Sequence, residues 1–255
     1  AQVDVARSQG TDLIKLMITG GVLDAKEKGT PGELKMDPAM VRAVCDRAHE
    51  LGFAVAAHVE STEGVRVALE GGVDSIEHGA APTDDIMGLF KKNGSFLCTT
   101  ISPALPYALF DRSVSCASEV EQYNGNMVFE GIIANSKAAL EQGVPVALGN
   151  DVGCPWITQY DFWRELRYFE KYVGVSRSFA LYTATLRNAQ LAGVGDVTGS
   201  IEVGKDADMI VVDANPLDDL CALRTPKHVI HRGRFIAKPN VKRNAVVDRE
   251  LDKFL

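Results

Sequence analysis

The chain has 255 residues, 46% of them hydrophobic and 24% charged, and carries a formal net charge of -7. This composition fits a soluble globular protein with a sizeable core, and it excludes collagenous and low-complexity chains. No basic stripe accompanies the acidic balance, which argues against a nucleic-acid partner, and no apolar run reaches the roughly 18 residues of a membrane span.

Taken in chain order, AQVDVARSQG reads as a polar, helix-like opening rather than a leader peptide. DLIKLMITGG (12–21) is an apolar run ending in glycines, as expected of a buried strand and its loop. Asp37 and Pro38 then open a helix that Gly52 closes, because an Asp N-cap, a first-turn Pro and a terminal Gly suit those positions. FAVAAHVES (53–61) is the next strand. A helix capped at Thr62 leads to VDSIEHG (73–79), a third strand. A helix with Thr83 as cap and Gly94 as stop leads to SFLCTTIS (95–102). Pro103 to about Ser118 reads as a long loop, followed by a helical stretch ending at Gly143 and a strand at 144–153. Five strands, each apolar on both faces and each followed by a helix, describe parallel βαβ units in a (β/α)8 barrel or a doubly wound sheet. No GxGxxG follows the first strand, which weighs against a dinucleotide fold.

Beyond residue 153 the pattern changes. Two helices at 158–174 and 176–193 precede GSIEVGKDADMIVVDANPLDDL and HVIHRGRFI, whose short strands and turns suggest a small β-sandwich segment. The divisions expected are 1–190 for the barrel part, 191–237 for the sandwich segment and 238–255 for a C-terminal tail or docking helix. The five cysteines (Cys45, Cys98, Cys116, Cys154, Cys221) are scattered and form no CxxC pair, so reduced thiols and a cytoplasmic location are expected.

Ionisable residues recur at or near the ends of these strands. Lys15 lies in the first strand, His58 ends the second, His78 the third and Asp151 the fifth. A single strand-end His is more often a hydrogen-bonded structural residue than a ligand, and a lone Lys in an apolar strand reads as a buried ion pair with Asp12 or Asp151. Four such groups on successive strand ends converge at the mouth of a barrel, where active sites of that fold lie. Imidazoles and carboxylates around an open position suit a catalytic divalent ion such as zinc.

The order Lys in DLIKLMITGG, His in AAHVES, His in SIEHGA and Asp in LGNDVG resembles the amidohydrolase superfamily, in its imidazolonepropionase-like and prolidase-like branch. GSIEVGKDADMIVVDANPL is similar to the C-terminal sandwich of the same superfamily. The resemblance implies a partial TIM (β/α)8 barrel, its C-terminal five βα units, with an appended β-sandwich segment. It implies a hydrolase that cleaves an amide or peptide C–N bond in a dipeptide, N-acyl amino acid or cyclic amide by a metal-activated hydroxide. Lys15 would be carboxylated by carbon dioxide to a metal-bridging carbamate, His58 and His78 would be metal ligands, and Asp151 would be both ligand and general base, with two zinc ions in the intact enzyme. Carboxylation needs a neutral amine, so a desolvated Lys15 is expected. The superfamily opens on a His-x-His pair that this sequence lacks. The expectation is therefore a C-terminal part of a longer protein, completed by its own N-terminal segment and assembled as a homo-oligomer.

Weaker candidates for substrate contact are Tyr107 and Arg112 in the 103–118 loop, where Arg112 reads first as a solvated charge. The long loop VLDAKEKGTPGELK is a further one, and Thr99, Thr100 and Ser102 stand at the fourth strand end. Two other readings compete. A deaminase-like mononuclear relative would not need Lys15, and a non-catalytic scaffold would not need the four groups together.

Overall fold

The computed structural model describes residues 2–255. The chain falls into two compact units, one formed by residues up to Thr100 with Ala104–Val146, the other by Ile101–Pro103 with Ala147–Leu255.

The first unit opens with helix α1 (Gln2–Ser8) and then alternates strand and helix: β1 (Leu13–Met17), α2 (Pro38–Glu50), β2 (Ala54–Val59), α3 (Thr62–Gly71), β3 (Ser75–His78), α4 (Asp84–Asn93) and β4 (Phe96–Thr99). Helices α5 (Ile101–Leu109), α6 (Arg112–Ser115) and α7 (Glu119–Glu141) precede β5 (Val146–Leu148), and the strands form one sheet in the order β1-β2-β3-β4-β5. The pairs β1–β2, β2–β3 and β3–β4 are parallel, with Lys15 opposite Ala56, His58 opposite Glu77 and Glu77 opposite Cys98. A parallel sheet threaded by helices in sequence order is the α/β arrangement expected, and is consistent with part of a (β/α)8 barrel.

Local chemistry sets the helix ends. Asp37 accepts from the Ala39 and Met40 amides at the start of α2, and Ser118 and Glu121 close a reciprocal capping box on α7. The cap of α3 is Ser61, whose hydroxyl accepts from Gly64 N–H, and Thr62 is the first helical residue rather than the cap.

Two expectations fail here. The 103–118 segment is helical, not a loop: α5 carries Pro106 internally and α6 follows at once. Pro103 sits in the first turn of α5, where no intrahelical donor is lost, and the buried Leu105, Tyr107 and Phe110 outweigh the disfavoured Pro106. Nor are the strands all buried on both faces. Ile14 is half-buried and Leu16 and Ile18 are buried, whereas Leu13, Lys15 and Met17, which share the opposite face of β1, are exposed.

The second unit, to which Ile101–Pro103 of α5 and Ala147 and Leu148 of β5 belong, contains α8 (Phe162–Tyr168), α9 (Arg177–Tyr182), α10 (Asn188–Leu191), a three-stranded antiparallel sheet and α11 (Ala245–Leu251). The sheet is β6 (Met209–Val211), β7 (His228–His231) and β8 (Arg234–Ile236), in that order. A π-helical turn extends α8 through Val173, and another joins α9 to α10. Arg164 of α8 is 1% exposed and its guanidinium donates to Asp161, Asp248 and Asp252, which fastens α11 to α8. The last residues are thus a docked helix held by a buried ion network. Among the described residues, no helix is long and apolar enough to cross a membrane.

Candidate metal and catalytic site

Parity along the sheet explains which groups meet. Residues 15, 56, 58 and 77 are linked by register or by two-residue spacing, so Lys15, His58 and Glu77 point to one face of the sheet. His78, opposite Val59, would by the same rule face the helices. Its backbone leaves the strand: φ is +71°, and Gly79 follows at +86°. A left-handed conformation at a non-glycine residue is uncommon, and it turns the imidazole back toward His58. The two rings stand edge to face with centroids 4.6 Å apart. Gly79 is required for a second reason, since a Cβ there would lie 2.3 Å from Asn135 Nδ2.

The potential ligand atoms of His58, Glu60 and His78 all lie within 4.8 Å of one another. Two imidazoles and a carboxylate are a donor set that suits zinc or a similar divalent ion. Glu60 was not singled out in the sequence reading. The signal was present: it stands two residues beyond His58 at the C-terminal end of β2, the spacing that puts two strand residues on one face. Glu60 Oε2 also accepts from Val22 N–H at 3.0 Å, which ties the loop after β1 to the histidine pair.

His78 is buried, and burial, followed by unfavourable electrostatic interaction with His58 and Lys15, holds its pKa well below the usual histidine range. The imidazole is therefore neutral near pH 7, the form that ligates metal. Thr100 Oγ1 lies 2.6 Å from His78 Nδ1 and fixes the ring orientation, leaving Nε2 for a ligand. Of the other hydroxyls at the end of β4, Thr99 bonds Ser136 and Ser102 bonds Glu165, so these groups serve packing contacts rather than an open pocket.

Lys15 lies on the same face as His58, but it is exposed, and among the described residues no ion pair joins it to Asp12. Its neighbours on this face of β1, Leu13 and Met17, are 47% and 55% exposed and do not cover it in this chain. Asp151 lies in the loop after β5 with φ +50°, a second strained non-glycine position, and accepts from the Cys154 thiol at 3.1 Å. Arg112 is exposed at the start of α6, while Tyr107 is buried in α5 and packs on Gly125 of α7.

Beside Glu60 a cleft of about 630 Å³ opens between the Gly20–Lys35 loop and Ser61, Ala80, Ala81, Met127 and Val128.

The model of the amidohydrolase family matches residues 3–236. The chain belongs to the amidohydrolase family. A presumed prolidase from Bifidobacterium longum superposes with a TM-score of 0.93 at 40% identity, over 99% of this chain and 62% of that one. A Xaa-Pro dipeptidase with methionine bound in its active site superposes with a TM-score of 0.80 at 32% identity, over 92% of this chain and 58% of that one. An ochratoxinase from Aspergillus niger is 26% identical over 226 residues, 88% of this chain and 45% of that protein. This amidohydrolase chain thus spans about half to three-fifths of the length of these relatives.

Proposed function

We propose that this amidohydrolase is a metal-dependent hydrolase acting on the C–N bond of a small dipeptide or N-acyl amino acid, with an Xaa-Pro dipeptide as the first substrate to test. The reading is supported most by the clustering of His58, Glu60 and His78 at the C-terminal ends of adjacent parallel strands. It is supported also by relatives at 40% and 32% identity described as a presumed prolidase and a Xaa-Pro dipeptidase.

In this reading His58 and His78 ligate a divalent ion through ring nitrogens, and Glu60 contributes a carboxylate oxygen. A bound ion would lower the pKa of a water molecule and polarise the scissile carbonyl. Lys15, as a carbamate, would add an anionic oxygen ligand. Asp151 would take a proton from the attacking water on a carboxylate oxygen and deliver it to the leaving nitrogen. The left-handed backbone at His78 is consistent with a site where geometry is held for function rather than stability. Zinc is the proposed ion, and β6–β8 would be one layer of the sandwich expected at 191–237.

The test is metal analysis of the full-length protein together with initial rates on a panel of Xaa-Pro dipeptides and N-acyl amino acids. The expected outcome is turnover that a chelator abolishes and zinc restores, and a loss of at least about 10³-fold in kcat/KM for His58→Asn and His78→Asn. Turnover that survives chelation and both substitutions would overturn the reading. One ion without a lysine carbamate would favour the mononuclear alternative.

A further inference from the structure

The segment between β1 and α2 has no helix of its own, and a connection of that length is ordinarily mobile. Here it is tied at its base and at its far end. Gly20 N–H donates to Glu33 O at 2.8 Å and Lys35 N–H to Ile18 O at 2.9 Å, closing the base. At the far end stands Asn124, fully buried in α7. Its Oδ1 accepts from Gly29 N–H at 2.8 Å and its Nδ2 donates to Glu27 O at 2.9 Å. Both ends of one buried amide are thus spent on two backbone groups of the loop, and Gly29, at φ +87°, makes the turn that presents them. The intervening Lys28 pairs with Glu119 on the same helix.

Resting on the hydrolase reading above, we propose that the cleft beside Glu60 takes the substrate and that Asn124 is a positioning residue for it. It holds the Gly20–Lys35 loop as a fixed wall of the substrate cleft rather than a moving lid. Residues Ala25, Lys26, Glu27 and Gly29 line that cleft, so releasing the Asn124 clamp frees this part of the wall, while the bond from Val22 N–H to Glu60 still ties the start of the loop to the histidine pair. Aspartate at 124 can still accept from Gly29 but sets a carboxylate oxygen against Glu27 O, and leucine removes both bonds while filling similar space.

The test uses the full-length protein and the Asn124→Asp and Asn124→Leu variants, with circular dichroism to show that each is folded. Trypsin cleavage after Lys26 and Lys28 is expected to rise at least about tenfold in both variants, since cleavage requires the loop to open. The KM for an Xaa-Pro dipeptide is expected to rise at least about fivefold with kcat within about twofold, the pattern of lost substrate positioning. In the wild-type protein, hydrogen exchange at the Gly29 amide should be slowed to the rate of the helix that holds it. A Gly29 amide that exchanges as fast as free chain overturns the clamp, whether or not the variants fold. Unchanged cleavage, or a fall in kcat at constant KM, overturns the positioning role. If the wild-type protein hydrolyses nothing, the functional reading fails, while exchange and cleavage still decide whether Asn124 fixes the loop.

Discussion

The His78 imidazole reaches His58 because its own backbone abandons the strand, at a cost of about 1–3 kcal/mol for a non-glycine residue in such a conformation. The neighbouring contacts hold it there: Asn135 lies where a side chain on Gly79 would be, and Thr100 bonds the ring from β4. An outer hydrogen bond that orients a ligating imidazole is commonly worth 10- to 100-fold in metal affinity. We therefore expect Thr100→Val, which keeps the shape and removes the hydroxyl, to weaken zinc affinity by about that factor, with little change in secondary structure. Competition titration against a chromophoric chelator measures it, and unchanged affinity would mean that packing alone orients His78. At this scale the sequence was informative about residue types and silent about conformation. His58 and His78 were legible as strand-end imidazoles, but nothing in SIEHGA announces that its histidine lies in the left-handed region. Glu60 was legible too, as a carboxylate two residues beyond His58, but a strand-end glutamate is as ordinary on a solvated rim as in a metal site.

Among the elements, the start of α5 is the place where a charge and a helix end meet. Glu165 of α8 is completely buried and accepts from Ile101 N–H at 2.6 Å, from Ser102 N–H at 2.8 Å and from the Ser102 hydroxyl. These donors favour the ionised carboxylate, but burial outweighs them and pushes the pKa up to about 7. A carboxyl that holds its proton more tightly when folded stabilises the fold fully below its unfolded pKa, near 4.5, and loses that contribution as pH rises toward 7. Wild-type stability should therefore fall, relative to Glu165→Gln, by up to about 3 kcal/mol between pH 4.5 and 7.5. Urea unfolding of both proteins across that range decides it, and parallel curves would refute the assignment. The same helix was misread as a loop, because Pro103 and Pro106 are strong local punctuation. The buried acid that caps it comes from a residue 63 positions away and leaves no local trace.

For the molecule as a whole, the open face of β1 is the main physical consequence of the fold. Among the described residues this strand pairs with β2 alone, and it presents Leu13 and Met17 at 47% and 55% exposure. A sheet edge with unpaired amides and apolar side chains invites pairing with another chain. The 255-residue chain on its own is expected to self-associate. Leu13→Lys should shift it toward monomer in sedimentation velocity, because an edge lysine opposes strand addition. If wild type and variant sediment alike as monomers, β1 is not an association edge in this chain.

The sequence by itself determined the parallel α/β order, most helix caps and the amidohydrolase likeness, because these follow from hydrophobic period, capping chemistry and short ordered motifs. Only the tertiary structure decided that Glu60 joins the two histidines, that Lys15 is exposed, that 103–118 is helical and that the final residues dock on Arg164. Each of those depends on strand register, a backbone torsion or a partner many residues distant, and none of these is written in the local pattern from which a sequence is read.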